Sequence, residues 1–362
     1  MGSVPIDTKS ISLATEIQKL HKPLELVESK ENGDIIQRQN IIERHMGTMA
    51  LTRGKNGDLL REAGALTSLL SLLHLLICSR TEGVMNSSEM KLAICALGAL
   101  RDLACGSNMN RLAIGNFVVG DSQLLIDEKD SSRICTGIDI VSYFIKKNHK
   151  KSWTAILHLS NTRDNDVGDC VSTREPTDRG KLELKMMTAA VGVVRNITHS
   201  TRSNCEALFS LGMTEVFIWR LRHGHDENEL VENTTGETQN SRLPDSSKPW
   251  REASFRIASS LINMSEKCIE VSRVCSMDDE LIYILLETWG GISIYGVETP
   301  KKSFPVLHLG LMAILKLRLD TSSKDENENT LETLIKKLLE RESIRKKAAQ
   351  AKELQRQTKK KT

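Results

Sequence analysis

One short apolar pattern recurs along the chain and limits what it can fold into. It reads A-L-R-D-L at 99–103, A-I-L-H-L at 155–159, V-V-R-N-I at 193–197, L-I-N-M at 261–264 and A-I-L-K-L at 313–317, with a weaker T-M-A-L at 48–51. The last apolar residues are Leu51, Leu103, Leu159, Ile197, Met264 and Leu317, spaced by 52, 56, 38, 67 and 53 positions. Self-similarity at such a period is the mark of a stacked repeat protein, in which each unit buries its apolar face only against its neighbours.

The units are helical. Leu66, Leu69, Leu70 and Leu73 recur at i, i+3, i+4, i+7, as do Val191, Val194 and Thr198, and Leu281, Ile284, Leu285 and Thr288. That step places them on one helix face. No alternating run is long enough for a sheet, and Lys55-Asn56-Gly57-Asp58 joins helical patterns rather than strands. Four of the five spacings exceed the roughly 40–47 residues of three-helix repeats. The excess falls in polar stretches at 79–90, 120–135, 161–182 and 223–249. Such insertions cost little, because loop-closure entropy grows only logarithmically with length. A glycine follows three anchors at offsets of 13, 12 and 15 residues: Gly64, Gly115 and Gly212. Each is expected to end a helix in the left-handed conformation.

Composition agrees. Of 362 residues, 39% are apolar and 22 are Gly, so a core is affordable and disorder throughout is excluded. The net charge of +3 excludes a polycation. Eight cysteines lack any C-x-x-C spacing and sit mostly in apolar runs, which reads as reduced core residues. The first residues have no apolar leader, and Ile6 stands where a myristoylation motif wants Ser or Thr. The run Ala65 to Cys78 is too short and polar to span a bilayer. Sequons at Asn86, Asn196, Asn233 and Asn263 read as chance matches. The expected location is cytoplasmic and/or nuclear.

Three segments resemble the armadillo-repeat family: 189–217, 96–116 and 51–70, each joining an A-L-x-N-L-like helix to a polar turn, a Gly landmark and an apolar helix. The segment 253–286 is similar, with Met277 at the Gly position. The resemblance implies an all-α fold, a right-handed solenoid of irregular repeats with long loop insertions, whose third helices line a concave groove that binds extended or helical segments. It implies a groove amide at Asn196 and Asn263, with Asp102, His158 and Lys316 at the equivalent positions. Importin-alpha-like receptors carry Trp four residues earlier. Gly98, Thr154, Gly192 and Ser259 stand there, so a nuclear-signal receptor is not implied. The overall look is nearer the beta-catenin, plakophilin and adenomatous polyposis coli adaptors.

Read from the residues alone, Asn196 and Asn263 have two explanations. Asn is a poor interior helix residue, so each is either a local cap or loop contact or a groove amide offering donor and acceptor to a partner backbone. Arg101 and Arg195 are either solvated cations or contacts for an acidic partner.

Catalytic and metal templates do not match. Gly47 to Lys55 has six residues between Gly47 and Gly54 instead of a phosphate loop's four, and Asn56 replaces its Ser or Thr. Gly291 to Tyr295 lacks the second Gly of a nucleophile elbow. His223, His225 and Asp226 share a polar stretch with no fixed third partner, which reads as an ordinary loop. No catalytic residue, cofactor or metal is expected.

Leu331, Leu334, Ile335, Leu338 and Leu339 form a last apolar stripe. From Lys336 to Thr362 there are 11 basic and 3 acidic residues. Arg345, Lys346, Lys347 and then Lys359, Lys360, Lys361 have bipartite nuclear-import spacing, while a solvated helix or an RNA or acidic-membrane contact fits equally. The expected organisation is an N-terminal extension at 1–33, partly disordered or a short capping helix carrying Leu13, Ile17 and Leu20. A repeat domain of about six units follows at 34–342, then a basic tail at 343–362. The expected function is non-catalytic scaffolding: an adaptor holding a protein segment in the groove. The alternative is a nuclear or RNA-associated factor acting through the tail.

Overall fold

The computed structural model describes residues 55–78, 85–119, 136–148, 150–157, 177–223, 250–290, 308–321 and 330–359. Fourteen helices occupy them, and no strand is present among the described residues. The expected N-terminal extension, the T-M-A-L segment and His158 lie outside the described residues.

Helices α1 (Lys55–Glu62), α2 (Ala65–Cys78) and α3 (Ser87–Ala104) form the first unit. The second has α4 (Asn108–Gly115), α5 (Gly137–Lys146), the short α6 (Trp153–Leu157) and α7 (Asp178–Thr198). Helices α8 (Arg202–Ser210), α9 (Met213–His223) and α10 (Arg251–Lys267) make the third. The fourth comprises α11 (Ile269–Ser276), α12 (Asp279–Gly290) and α13 (Leu309–Thr321), and α14 (Thr330–Lys359) packs on α13.

The long third helices stack in order: α3 on α7, α7 on α10, α10 on α13. The described residues therefore hold four units, three of three helices and the second with the short α6 in addition, in an all-α solenoid. Of the expected copy at 155–159, the described residues 155–157 fall in the short α6. Because α3 packs directly on α7, Leu103 and Ile197 anchor adjacent units, and α6 lies beside the start of α7, where Thr177 N–H bonds the Leu157 carbonyl at 2.9 Å. A copy of the apolar pattern does not by itself make a third helix.

Local chemistry sets the helix starts. Asn86, a sequon residue by sequence, caps α3. Its side chain accepts from Glu89 N–H, and Glu89 returns the bond to Asn86 N–H. Thr136 and Asp139 repeat that box at α5, and Thr177 caps α7. The polar stretches at 79–90 and 161–182 therefore end in the first turns of α3 and α7.

Gly64 and Gly212 adopt the expected left-handed conformation, at φ 84° and 69°. Gly115 does not. It is the last residue of α4, and a Cβ there would overlap the Asn204 side chain, so the position needs smallness and not a special φ. Gly106, at φ 82°, makes the turn out of α3 instead. At Met277 the chain turns with φ −85°, which any residue adopts, so the missing glycine costs nothing.

The core follows the helical pattern. Leu66, Leu69, Leu70 and Leu73 are buried, as are the anchors Leu103, Ile197 and Met264. Fully burying one such side chain contributes about 1.5–3 kcal/mol. One cation joins them. Arg220 of α9 is buried over the rings of Trp153 (5.0 Å) and Trp219 (5.4 Å), and it donates to the carbonyls of Asn148 and Lys151. Burial pushes its pKa down to about 10. This contact ties α9 to the segment joining α5 and α6.

Candidate interaction groove on the third-helix layer

The third helices end side by side, and side-chain amides join those ends. Asn196 Nδ2 of α7 donates to the Arg101 carbonyl of α3 at 2.8 Å. One unit on, Asn263 Nδ2 of α10 donates to the Arg195 carbonyl of α7 at 3.0 Å. Both carbonyls lie in a last helical turn and are shared: Arg101 O also accepts from Cys105 N–H at 3.1 Å, and Arg195 O from the Thr198 hydroxyl at 3.0 Å. Each candidate groove amide thus has its donor end fixed on the preceding unit. That bond between units is not a local cap, and it uses one of the two N–H donors of each amide.

Two further asparagines, which sequence reasoning missed, complete the tie. Asn110 is fully buried and donates to the Leu103 carbonyl (2.8 Å) and, in the preceding unit, to the Gly57 carbonyl (3.1 Å). Asn204 repeats this with the carbonyls of Ile197 and Arg111, both at 3.0 Å. Each sits seven residues past its anchor, and that constant offset was the available signal. In the fourth unit Ser272, eight residues past Met264, takes the place of the amide and donates to Ser265 O at 2.6 Å.

The remaining site candidates are scattered in role. Asp102 is buried and accepts from Arg101 at 3.0 Å, so it is a counterion. Lys316 is exposed on α13. Arg345, Lys346 and Lys347 are exposed on α14, which crosses position 342 without a break and runs to Lys359. Lys360 and Lys361 lie outside the described residues, as do His225 and Asp226.

The structure gathers guanidinium groups that the sequence had only suggested. A Cβ on Gly192 would lie 2.5 Å from Arg256 Nη1 and 3.0 Å from Arg101 Cδ. Arg101, Arg195 and Arg256, from three successive third helices, lie near enough to one another that Arg101 and Arg195 both help to lower the Arg256 pKa. Burial is the larger cause there, opposed by Glu252. Arg256 pairs with Glu252 and donates to the Thr188 carbonyl at 2.9 Å. Arg101 pairs with Asp102. Arg195 instead faces the Phe255 ring at 5.6 Å and has no carboxylate partner among the described residues.

Beside them is a depression of about 340 Å³, bordered by Arg111, Arg195, Asn196, His199, Asn263 and His308. Arg111 is held by the carbonyls of Ala104 (3.1 Å) and His199 (3.0 Å). Burial lowers the His308 pKa, with Glu266 opposing.

Cys78, Cys205 and Cys275 sit where a reactive thiolate is disfavoured. Cys78 Sγ lies 3.2 Å from His74 Nε2, but burial raises the thiol's pKa and lowers the imidazole's, which disfavours a thiolate–imidazolium pair. Burial pushes Cys205 and Cys275 up to about 12. Among the described residues no three His, Cys, Asp or Glu side chains are grouped to hold a metal, and no helix is long and apolar enough to cross a membrane.

No family description matches the chain, and no curated protein does. Among solved structures it is similar to a designed armadillo repeat protein in complex with a (KR)4 peptide. The TM-score is 0.38, with 14% identity, over 91% of this chain and 99% of that one. The armadillo-like reading of the fold rests on the chain's own three-helix units and their stacking.

Proposed function

We propose that this protein is a non-catalytic interaction scaffold that holds an acidic protein segment along its third-helix layer. The observation that carries the reading is the approach of Arg101 and Arg256 over Gly192, with Arg195 close enough to lower the Arg256 pKa and lacking a carboxylate partner among the described residues. Like charges brought together at a cost in desolvation are favourable where an opposite charge arrives to share them. Stacked units supply a long rigid face for such a segment. The reading places the chain with adaptors of the beta-catenin, plakophilin and adenomatous polyposis coli kind, acting in the cytoplasm and/or nucleus.

The test is capture from cell extract, read by mass spectrometry, with the full chain, Arg195→Glu and a deletion of 343–362. Proteins lost with Arg195→Glu and kept by the deletion support the scaffold. If capture is indifferent to Arg195, the reading fails.

A second reading has its own observation. The basic end of α14 is an exposed helix and not part of the packed layer, so it is free to act as a nuclear-import signal or to touch RNA. Captured material that disappears with the 343–362 deletion, and with nuclease or rising salt, would favour it.

A further inference from the structure

We infer that the depression between Arg111, Arg195, His199 and His308 is a phosphoryl-binding pocket that takes a phosphorylated side chain of the bound segment. The inference rests on the scaffold reading and names what the groove selects.

The lining argues for an anion. It holds two arginines and two imidazoles, and no carboxylate. His308 itself lies 3.7 Å from the Glu266 carboxylate, which also pairs with Lys267 at 2.6 Å, so the charge partners for an anion are the two guanidiniums. Neither Arg111 nor Arg195 has a carboxylate partner among the described residues; one is held by carbonyls, the other by a ring. A guanidinium positioned without a counterion keeps its full charge for a ligand, and its fork matches the oxygens of a phosphoryl group.

The setting would ordinarily be wrong for an anion, because helix C-termini present negative carbonyl ends. Here those ends are covered. Asn196 binds the Arg101 carbonyl, Asn110 that of Leu103, and Arg111 that of Ala104. Asn263 and Asn204 do the same for Arg195 and Ile197. The repulsion is removed by the same amides that stack the units. The position favours a side chain of a longer segment over a free ion, because the depression opens beside the Arg101–Arg195–Arg256 cluster, along which that segment would run.

The test uses the full chain and three labelled degenerate peptides that differ only at a central Ser, phosphoserine or Glu. Binding is read by fluorescence polarisation, with inorganic phosphate as competitor, on wild type and Arg195→Gln; circular dichroism checks that the variant folds. The phosphoserine peptide should bind at least about ten-fold more tightly than the other two, and Arg195→Gln should remove that gain. Arg195→Lys should restore part of it. Equal binding of all three peptides, or a gain that survives Arg195→Gln, overturns the pocket while leaving the groove standing. Inorganic phosphate shifting the His199 and His308 ring resonances with no gain for the phosphopeptide overturns the side-chain assignment in favour of a small-ion site. If no peptide binds and phosphate moves neither ring, there is no pocket. The groove itself is judged separately, by capture with Arg195→Glu.

Discussion

Asn196 on one third helix holds the carbonyl of Arg101 on the helix before it, and Asn263 holds that of Arg195 in the same way. The two bonds are one relationship repeated by the solenoid, and they give to unit stacking one N–H of each amide that the resemblance places in the groove. Replacing either by Ala removes the bond between units, although Cys105 N–H still serves the Arg101 carbonyl and the Thr198 hydroxyl that of Arg195. We expect each variant to lose about 1–3 kcal/mol in urea unfolding. Asn196→Asp should be worse, since a carboxylate would face a carbonyl. A variant with unchanged unfolding would show that the bond is not made.

Asn110 and Asn204 each bridge two carbonyls from full burial. Their replacement by Ala or Leu should be the more damaging pair, at roughly 2–4 kcal/mol each, because each change removes two buried bonds between helices at once. Hydrogen exchange should localise the loosening to the joints between α1 and α4 and between α4 and α8.

Gly212 turns the chain between α8 and α9 at φ 69°. Ala there should destabilise by about 1–2 kcal/mol, with Asn milder, from the cost of a Cβ in the left-handed region. At Met277 a change to Ala should cost little, since its φ is ordinary. Thermal melts of the three variants test the contrast.

His74 and His308 both have pKa values lowered below the ordinary 6.5, in each case chiefly by burial. A lowered imidazole binds its proton more readily in the unfolded chain. Its contribution is therefore complete above about 6.5 and is lost as pH falls through the folded value. Melting temperature should drop on acidification below that point. His74→Leu should flatten part of the drop, and a profile unchanged by it would remove His74 as a cause.

Beyond Glu342 the described side chains of α14 are exposed, Ile344 at 61%. Deleting 343–362 should leave the melting temperature within about 1 °C, because surface residues away from caps and cores contribute little. Truncation at 330 should not be tolerated so well, since Leu331, Ile335 and Leu338 cover the end of the last unit.

The helical stack was readable from the chain because its cause is local. A 3.6-residue apolar step marks each buried face, as at Leu66 to Leu73, and Ser, Thr and Asn caps mark the starts. The glycine landmarks were readable at Gly64 and Gly212 for the same reason: a left-handed residue is a property of one position. Gly115 was misread because its constraint comes from Asn204, 89 positions away.

What the order of residues determined by itself was the kind of unit, its approximate anchors and the basic end. What only the tertiary structure decided was which units are neighbours and what their polar groups do. The copy at 155–159 has the right letters, but α3 meets α7 directly. Asn196 carries the right amide, but the orientation of its helix gives it to Arg101. Arg195 reads like any surface cation until the stack brings Arg101 and Arg256 beside it and leaves it facing only a ring. Periodicity is fixed by the geometry of a single helix, whereas hydrogen bonds and charge clusters depend on contacts between helices distant in the chain.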